Sequence, residues 1–228
     1  MTSKLKRFLP FTLIAAVASV TLTAGTVLYR AKQAKAPRGG GLAEITGAKP
    51  GAKAPHIRGE TKAKVTVEEF ADFQCPPCAG VAAILQKLER DYQGRLRVVF
   101  RHFPLQNHQN ARPAALAAEA AARQGKFWEM HDLLYENQTA WSKATEIRPL
   151  LNGYAAILGL DMTRFSADFE LSETGARISA DQERAASLGV TQTPTLFINN
   201  QLLPVSALSA DGIRDAIEKA LAPPSTTP

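Results

Sequence analysis

The stretch that decides the fold is Val65-Thr-Val-Glu-Glu-Phe-Ala-Asp-Phe-Gln-Cys-Pro-Pro-Cys78. In its first part, Val65, Val67, Ala71 and Phe73 fall on one side of an extended chain, which predicts a β-strand that ends just before the first cysteine. The two prolines suit the first turn of a helix, and the apolar residues beyond them recur at helical spacing. The sequence therefore predicts a strand that leads through C-x-x-C into a helix.

A second strand is predicted at residues 96–103, after the helix ends near Gly94. A strand, a helix and a strand within roughly 40 residues form a βαβ unit, which implies parallel pairing of the two strands. Further helices should follow, the first of them capped by Asn110. The predicted helical segments are 110–125, 127–138, 145–158, 161–169 and 173–188.

The C-terminal part predicts a β-hairpin and a final helix. Residues 195–199 and 202–205 have strand patterns around an Asn-Asn turn, and residues 209–221 carry apolar side chains at helical spacing. The predicted fold class is α/β, with a helical insertion at about 106–189 between the βαβ unit and the C-terminal hairpin and helix. The folded domain should span residues 59–222, followed by a disordered tail at 223–228.

The N-terminal 30 residues have the composition of a membrane anchor. Residues 8–29 contain no Asp, Glu, Lys or Arg, and roughly 20 apolar residues suffice to cross a bilayer. We expect residues 1–30 to be retained as a single-pass anchor; the alternative is cleavage near Ala24 and secretion. Residues 31–58 are mostly Ala, Gly, Lys and Pro, which predicts a flexible linker between the membrane and the domain.

The positive net charge belongs to the N-terminal part of the chain. Residues 1–64 carry twelve Lys or Arg against two Glu, whereas the remainder carries fifteen Lys or Arg against nineteen acidic residues. A mildly acidic folded domain lacks the basic stripe that binds nucleic acids. The pattern therefore argues against DNA or RNA as a partner and fits membrane topology.

Cys75 and Cys78 are the only cysteines of the chain, and they flank a predicted strand-to-helix junction. The N-terminus of a helix offers unpaired N–H groups and the positive end of the helix dipole, which stabilise a thiolate. Cys75 is therefore the expected nucleophile and Cys78 the expected resolving cysteine. Pro76 and Pro77 donate no N–H, so donation to the Cys75 sulfur must come from Cys78 or beyond, and the thiolate should be less extreme than in the strongest oxidants.

Glu69 lies in phase with the apolar side of the predicted strand that leads to the cysteines. Burial would raise the pKa of its carboxyl group and suit it to relay a proton to and from Cys78. The alternative is a solvated Glu69 beside Glu68, which would follow if the strand parity were misassigned.

A zinc site would need two ligands besides the cysteines, and the chain has four histidines to supply them. His102 and His108 are the nearest pair, but a structural zinc pair should show tighter spacing. They are more simply interpreted as ordinary histidines of a strand end or a loop. No metal is therefore expected.

Four segments resemble the DsbA family of the thioredoxin superfamily. They are the stretch quoted above, Val99-Phe-Arg-His-Phe-Pro104, Phe127-Trp128 with Leu133-Leu134, and Gly189-Val-Thr-Gln-Thr-Pro-Thr195. Together they extend across almost all of residues 60–221. The resemblance implies a thioredoxin fold with a helical insertion, which agrees with the predicted helical stretch.

The resemblance also implies roles for individual residues. It identifies Cys75 with the exposed nucleophile, Cys78 with its buried partner, and Glu69 with the buried acid six residues before the first cysteine. Pro194 corresponds to the cis-proline that faces the disulfide. Thr193 would then offer its backbone to an extended substrate chain, by a form of strand addition that tolerates many side chains.

The expected function is dithiol-disulfide exchange with exported, cysteine-containing proteins. It would take place on the periplasmic side of a bacterial-type inner membrane, with an unidentified membrane redox partner and no cofactor beyond the Cys75–Cys78 disulfide. Donation of disulfides is favoured, but DsbA itself has Pro-His where this chain has Pro76-Pro77. A tethered reductase or isomerase therefore stays open, as does a chaperone or assembly factor that binds extended chains without using its cysteines.

Overall fold

The structure, a computed structural model, describes residues 47–223. The predicted anchor at 8–29 lies outside the described residues, as do the predicted linker before residue 47 and the predicted tail from residue 224. Within the described part of the chain, every helix is too short or too polar to span a bilayer.

A five-stranded mixed sheet forms the centre of this part of the molecule. Its strands are β1 (His56–Gly59), β2 (Val65–Ala71), β3 (Leu96–His102), β4 (Thr195–Ile198) and β5 (Gln201–Leu202). The helices are α1 (Pro76–Asp91), α2 (Ala111–Ala122), α3 (Phe127–Glu136), α4 (Gln138–Trp141), α5 (Arg148–Ile157), α6 (Met162–Glu170), α7 (Ser172–Ser187) and α8 (Ala210–Leu221), with a 3-10 turn at Val205–Ala207.

The strand order is β1-β3-β2-β4-β5, with β2 in the middle. The strands β2 and β3 pair in parallel, as the βαβ pattern predicts, whereas β1 and β4 are antiparallel to their neighbours. Helices α2 to α7 lie between β3 and β4 along the chain, where the helical insertion is predicted. The predicted α/β class is confirmed.

The first strand corrects the predicted linker. The composition of residues 31–58 predicts a flexible tether, yet His56–Gly59 pairs with β3 along its whole length. Before the strand, Ala52 is buried and its N–H donates to the Asp181 carboxylate at 2.9 Å. Backbone hydrogen bonds and small buried side chains hold this segment, and neither produces the apolar pattern from which sequence analysis recognises a strand. The folded domain therefore begins at or before Ala52, and not at residue 59.

The side chains of β2 divide between two faces of the sheet. The odd-numbered residues contribute to the core under α1 and α8, and the even-numbered residues face α7. Glu69 therefore lies on the same face as α1. Glu68 lies on the opposite face, where Arg101 and Arg184 donate to its carboxylate at 2.7 and 2.8 Å.

Asn110 has a different structural role from the predicted cap. Its side chain makes no capping hydrogen bond with α2. Its amide instead donates to the backbone carbonyls of Trp141, Ser142 and Ala144 at 3.2, 3.3 and 2.9 Å. Because these carbonyls lie at the end of α4 and just beyond it, Asn110 joins two parts of the helical insertion.

Candidate active site

The two cysteines lie where the chain leaves β2 and enters α1. Cys75 immediately precedes the helix, whose first two residues are Pro76 and Pro77. Cys78 is fully buried, and Cys75 is only 5% exposed. This corrects the exposed nucleophile that the resemblance implies. The loop before β4 lies against the sulfur, and the Cys75 thiol donates to the Thr193 carbonyl at 3.5 Å.

The helical insertion fixes the residues just before the motif. The Gln138 amide donates to the carbonyls of Phe73 and Cys75 at 2.6 and 3.0 Å. The Gln74 side chain accepts from the Asn110 N–H at 2.7 Å and donates to a carbonyl beyond α4 at 2.8 Å. The direction in which Cys75 points is therefore set partly by residues more than 60 positions away in the chain, which sequence analysis does not identify.

Asp72 places a buried carboxylate close to the motif. It is 1% exposed, accepts from the Leu105 N–H at 2.9 Å, and lies 2.7 Å from His108 Nδ1. Its negative charge acts to raise the pKa of Cys75. The contact between Asp72 and His108 joins two separate loops, so neither residue stands out as a site residue in the sequence.

The pKa values of the two thiols are shifted in opposite directions. The Cys78 side chain, the Thr193 hydroxyl and the Cys78 N–H lower the pKa of Cys75 to about 6, although its burial acts to raise it. Burial, the contact with Cys75 and the charge of Glu69 raise the pKa of Cys78 far above its ordinary value. At neutral pH the reduced site therefore holds a thiolate at Cys75 and a thiol at Cys78.

Glu69 is buried beneath the motif. It is 1% exposed, and its Oε1 has no hydrogen-bond partner within residues 47–223. Burial, together with the negative charge of Cys75, raises the pKa of Glu69 to about 8, while Arg58 acts in the opposite direction. The carboxyl group is therefore protonated at neutral pH, and the alternative of a solvated Glu69 is wrong.

An open groove of about 450 Å³ begins beside the motif. The peptide bond between Thr193 and Pro194 is cis and forms part of its wall. The groove is largely apolar, and one of its residues, Val205, is 63% exposed. The lining residues are Pro77, Gly80, Val81, Ile84, Gln192, Thr193, Pro194, Val205 and Leu208.

A second polar cluster, away from the cysteines, has metal-ligand chemistry. The ligand atoms of His56, His102 and Glu119 lie within 4.8 Å of one another, and two histidines with a glutamate are a known zinc set. Arg177, however, donates to the same carboxylate at 2.6 Å and lies 3.3 Å from His56 Nε2. Because a cation would meet the guanidinium charge, we assign these four residues to an ion-pair network that joins β1, β3, α2 and α7.

A family profile described as Thioredoxin matches residues 52–219 of the chain. Among curated proteins, the chain is similar to Na(+)/H(+) antiporter NhaA 3 of Salinispora tropica, with 44% identity over 148 residues, or 64% of this chain and 22% of that protein. It is also similar to Na(+)/H(+) antiporter NhaA of Herminiimonas arsenicoxydans, with 38% identity over 65% of this chain and 23% of that protein. The chain thus spans about a fifth of the length of these relatives.

Solved structures resemble almost the whole described domain. A thioredoxin-like oxidoreductase from Silicibacter pomeroyi is 28% identical, with a TM-score of 0.64 over 78% of this chain and 98% of that chain. BdbD from Bacillus subtilis is 25% identical, with a TM-score of 0.66 over 76% and 98%. DsbA2 from Pseudomonas aeruginosa is 26% identical, with a TM-score of 0.60 over 78% and 100%.

Proposed function

Because the chain belongs to the thioredoxin family, we propose that it is a thiol-disulfide oxidoreductase that acts through Cys75 and Cys78. The observation that carries the proposal is that the pKa values of the two thiols are shifted in opposite directions, to about 6 at Cys75 and far upward at Cys78. Dithiol exchange needs one thiol that is ionised at neutral pH and a second, protected thiol within reach of it.

The reaction runs through a mixed disulfide. A substrate thiolate attacks the Cys75 sulfur of the oxidised pair, the Cys75–Cys78 bond breaks, and Cys78 leaves with the electron pair and takes up the proton of Glu69. A second substrate thiolate then attacks the substrate sulfur in the mixed disulfide and releases Cys75 as a thiolate. The substrate loses two electrons, the protein gains two, and no further cofactor takes part.

Donation of disulfides is the proposed direction. The contacts that stabilise the Cys75 thiolate favour the reduced protein, and a stabilised reduced form makes the disulfide a stronger oxidant. A membrane redox partner, not identified, would reoxidise the pair. A reductase or isomerase of the same fold is the alternative for this site.

The proposed substrates are exported proteins with cysteines, bound as extended chains. The apolar groove beside Pro194 and the backbone of Thr193 support this mode of binding. The proposed place of action is the extracytoplasmic side of a bacterial-type inner membrane, with residues 8–29 as the anchor, or secretion if the anchor is cleaved. Cation transport is the named activity of the antiporter relatives, but the similarity covers about a fifth of their length, and transport is not part of the proposal.

Two variants and a measurement of the reduction potential test the proposal. Cys75→Ala should abolish oxidation of a reduced dithiol peptide, whereas Cys78→Ala should accumulate a mixed disulfide through Cys75. Unchanged client maturation in Cys75→Ala would favour the chaperone alternative. The reduction potential of the pair should lie on the oxidising side of thioredoxin, and a value near about −270 mV would contradict disulfide donation.

A further inference from the structure

Two buried side chains, each with a polar atom that has no hydrogen-bond partner, line the same small cavity behind the cysteine site. Among residues 47–223, Glu69 Oε1 and His131 Nε2 are buried and make no hydrogen bond. Both residues line one cavity, together with Arg58, Ala82, Leu85, Gln86, Val98 and Trp128. Buried polar atoms normally find a partner in the protein or in an ordered water, so two orphan atoms at one cavity indicate a missing partner that serves both.

The cavity has the size and the lining for one water molecule. It leaves about 10 Å³ for the centre of a water, and roughly 10–15 Å³ is what a single buried water requires. A buried water also needs polar partners, which Glu69 and His131 provide, whereas cavities that stay empty are apolar. We propose that one water in this cavity links the Glu69 carboxyl group to His131, and that His131 passes protons between Glu69 and solvent during thiol exchange.

The other nitrogen of the His131 ring faces outward. Its Nδ1 lies 2.8 Å from Asp132 Oδ1, and the Asp132 side chain is 28% exposed. Arg58 donates to both oxygens of the same carboxylate at 2.8 and 2.7 Å, which fixes its position. His131 and Asp132 also line an open pocket that includes the exposed residues Ala83 and Glu136. The imidazole thus lies between the small cavity and a surface pocket.

The proposal rests on the proposed function and completes its proton balance. When Cys78 resolves a mixed disulfide, its sulfur bonds to Cys75, the Cys75–substrate bond breaks, and the substrate leaves as a thiolate. Glu69, protonated at rest, first releases its proton through the water to His131 Nε2, while the Nδ1 proton leaves through Asp132, and the resulting Glu69 carboxylate then accepts the Cys78 proton. In disulfide donation the same path runs inward and restores the proton that Glu69 gives to Cys78.

The acidities of the two groups agree with this path. Burial lowers the pKa of His131 to about 4, although Asp132 acts to raise it, so the ring is neutral at pH 7 and its Nε2 can accept a proton. Burial raises the pKa of Glu69 to about 8, so its carboxyl group holds a proton that it can release. The titratable and charged groups that face this pair are Arg58 of β1, His102 of β3, Cys75 and Cys78 at α1, and Asp132 and Tyr135 of α3.

The experiment compares substitutions of His131 in the full chain. His131→Phe keeps an aromatic ring among its aromatic neighbours and removes both nitrogens. We expect Cys78-dependent resolution of a preformed mixed disulfide between Cys75 and a peptide to slow about tenfold at pH 7, less than the roughly hundredfold loss of a direct acid or base, because His131 acts through Glu69. The solvent isotope effect should increase, while the pH profile of Cys75 alkylation stays near its wild-type midpoint.

Two further variants separate a proton path from packing or simple polarity. Glu136→Gln is the matched control, because Glu136 is exposed at the end of the same helix and lines the open pocket but not the cavity. It should resolve the mixed disulfide at the wild-type rate. His131→Gln can bind the water but cannot carry a proton, so it should stay as slow as His131→Phe. Wild-type rates in either His131 variant would overturn the inference.

A measurement on the wild-type protein covers the case in which the variants do not fold. A high-resolution crystal structure should show one ordered water within hydrogen-bond distance of both Glu69 and His131. An empty cavity would overturn the inference even if exchange through the cysteines is normal. Loss of exchange in the wild-type protein would instead count against the proposed function, which keeps the two failures distinct.

Discussion

Thr193 is the residue through which the loop before β4 acts on the nucleophile. Its carbonyl accepts from the Cys75 thiol, and its hydroxyl helps to lower the pKa of Cys75. The Thr193 Oγ1 is buried and has no hydrogen-bond partner within residues 47–223, so it is free to donate to the Cys75 thiolate. We expect Thr193→Val to raise the pKa of Cys75, which the pH dependence of iodoacetamide alkylation would measure. The reduction potential should become more negative, because the thiolate loses a donor.

Thr191→Val is the control for this substitution. Thr191 lies two residues earlier in the same loop and is exposed. It should leave both the alkylation profile and the potential unchanged. Equal effects of the two variants would show that the loop conformation, and not the Thr193 hydroxyl, sets the acidity of Cys75.

Glu69 is a residue whose burial costs stability at neutral pH. Its folded-state pKa of about 8 lies above its ordinary value of 4.5, so its contribution to stability is full below about pH 4.5 and is lost as the pH rises toward 8. We expect Glu69→Gln to raise the free energy of unfolding by about 3 kcal/mol at pH 7, and the gain should fade below pH 4.5. Urea unfolding of the reduced protein at pH 4 and pH 7 would measure this difference, and a gain of equal size at both pH values would contradict the assigned pKa.

The neighbouring residue Glu68 should behave in the opposite way. Burial would raise the pKa of Glu68, but the hydrogen bonds and charges of Arg184 and Arg101 lower it below the ordinary value. Its contribution is therefore present at neutral pH and is lost in acid. Glu68→Gln should destabilise the protein at pH 7, where Glu69→Gln stabilises it. Both carboxyl groups are buried, so opposite changes in stability would show that the arginine charges, and not burial, decide the effect at Glu68.

At the scale of elements, β1 is the strand that sequence analysis misses. It covers the edge of β3, and its His56 lies 2.8 Å from the buried carboxylate of Glu119. A chain that begins at Glu60 should be less stable than one that begins at Gly47 by about 3 kcal/mol or more, because it loses an edge strand and a partner of a buried charge. Thermal and urea unfolding of the two chains would measure the loss. Equal stability would support a domain start near residue 59.

The elements that carry large apolar side chains at regular spacing can be predicted from the sequence. The strand before the cysteines, helix α1 and strand β3 are found within a few residues, because each buries Val, Leu or Phe against the others. Segment 47–59 is missed because its attachment relies on backbone groups and ion pairs. Asn110 is misassigned because its position before an Ala-rich helix predicts a cap, whereas its partners lie more than 30 residues further along the chain.

Some residues of the candidate site can also be predicted from the sequence, and others cannot. Local chemistry identifies Cys75, Cys78 and Glu69, since their spacing and strand parity place them together on one element pair. Asp72 and His131 are not identified, because each acquires its role from contacts between elements far apart in the chain. The burial of Glu69 can be predicted from the alternation of residues along its strand. The position of His131 across the cavity cannot, because it depends on how α3 packs.

At the scale of the molecule, the insertion and the sheet together hold the motif. The insertion fixes the chain before Cys75 through hydrogen bonds from Gln138 to Phe73 and from Asn110 to Gln74. The loop before β4 provides Thr193. The redox pair therefore sits between two parts of the fold that are joined by tertiary contacts. Its potential is then a property of the folded molecule, and it should differ from the potential of the same four residues in an unfolded chain.

This coupling predicts that the reduced protein is more stable than the oxidised protein. The folded pKa of Cys75, about 6, lies below its ordinary value of 9.0, so the thiolate contributes stability that is full above about pH 9 and is lost as the pH falls through 6. A disulfide usually stabilises a fold by restricting the unfolded chain, but the loop between Cys75 and Cys78 is too short for a large gain. Urea unfolding of both forms at pH 6 and pH 8 should therefore show a difference in favour of the reduced form that grows with pH. A more stable oxidised form would mean that folding favours the disulfide, and the protein would then act as a reductant.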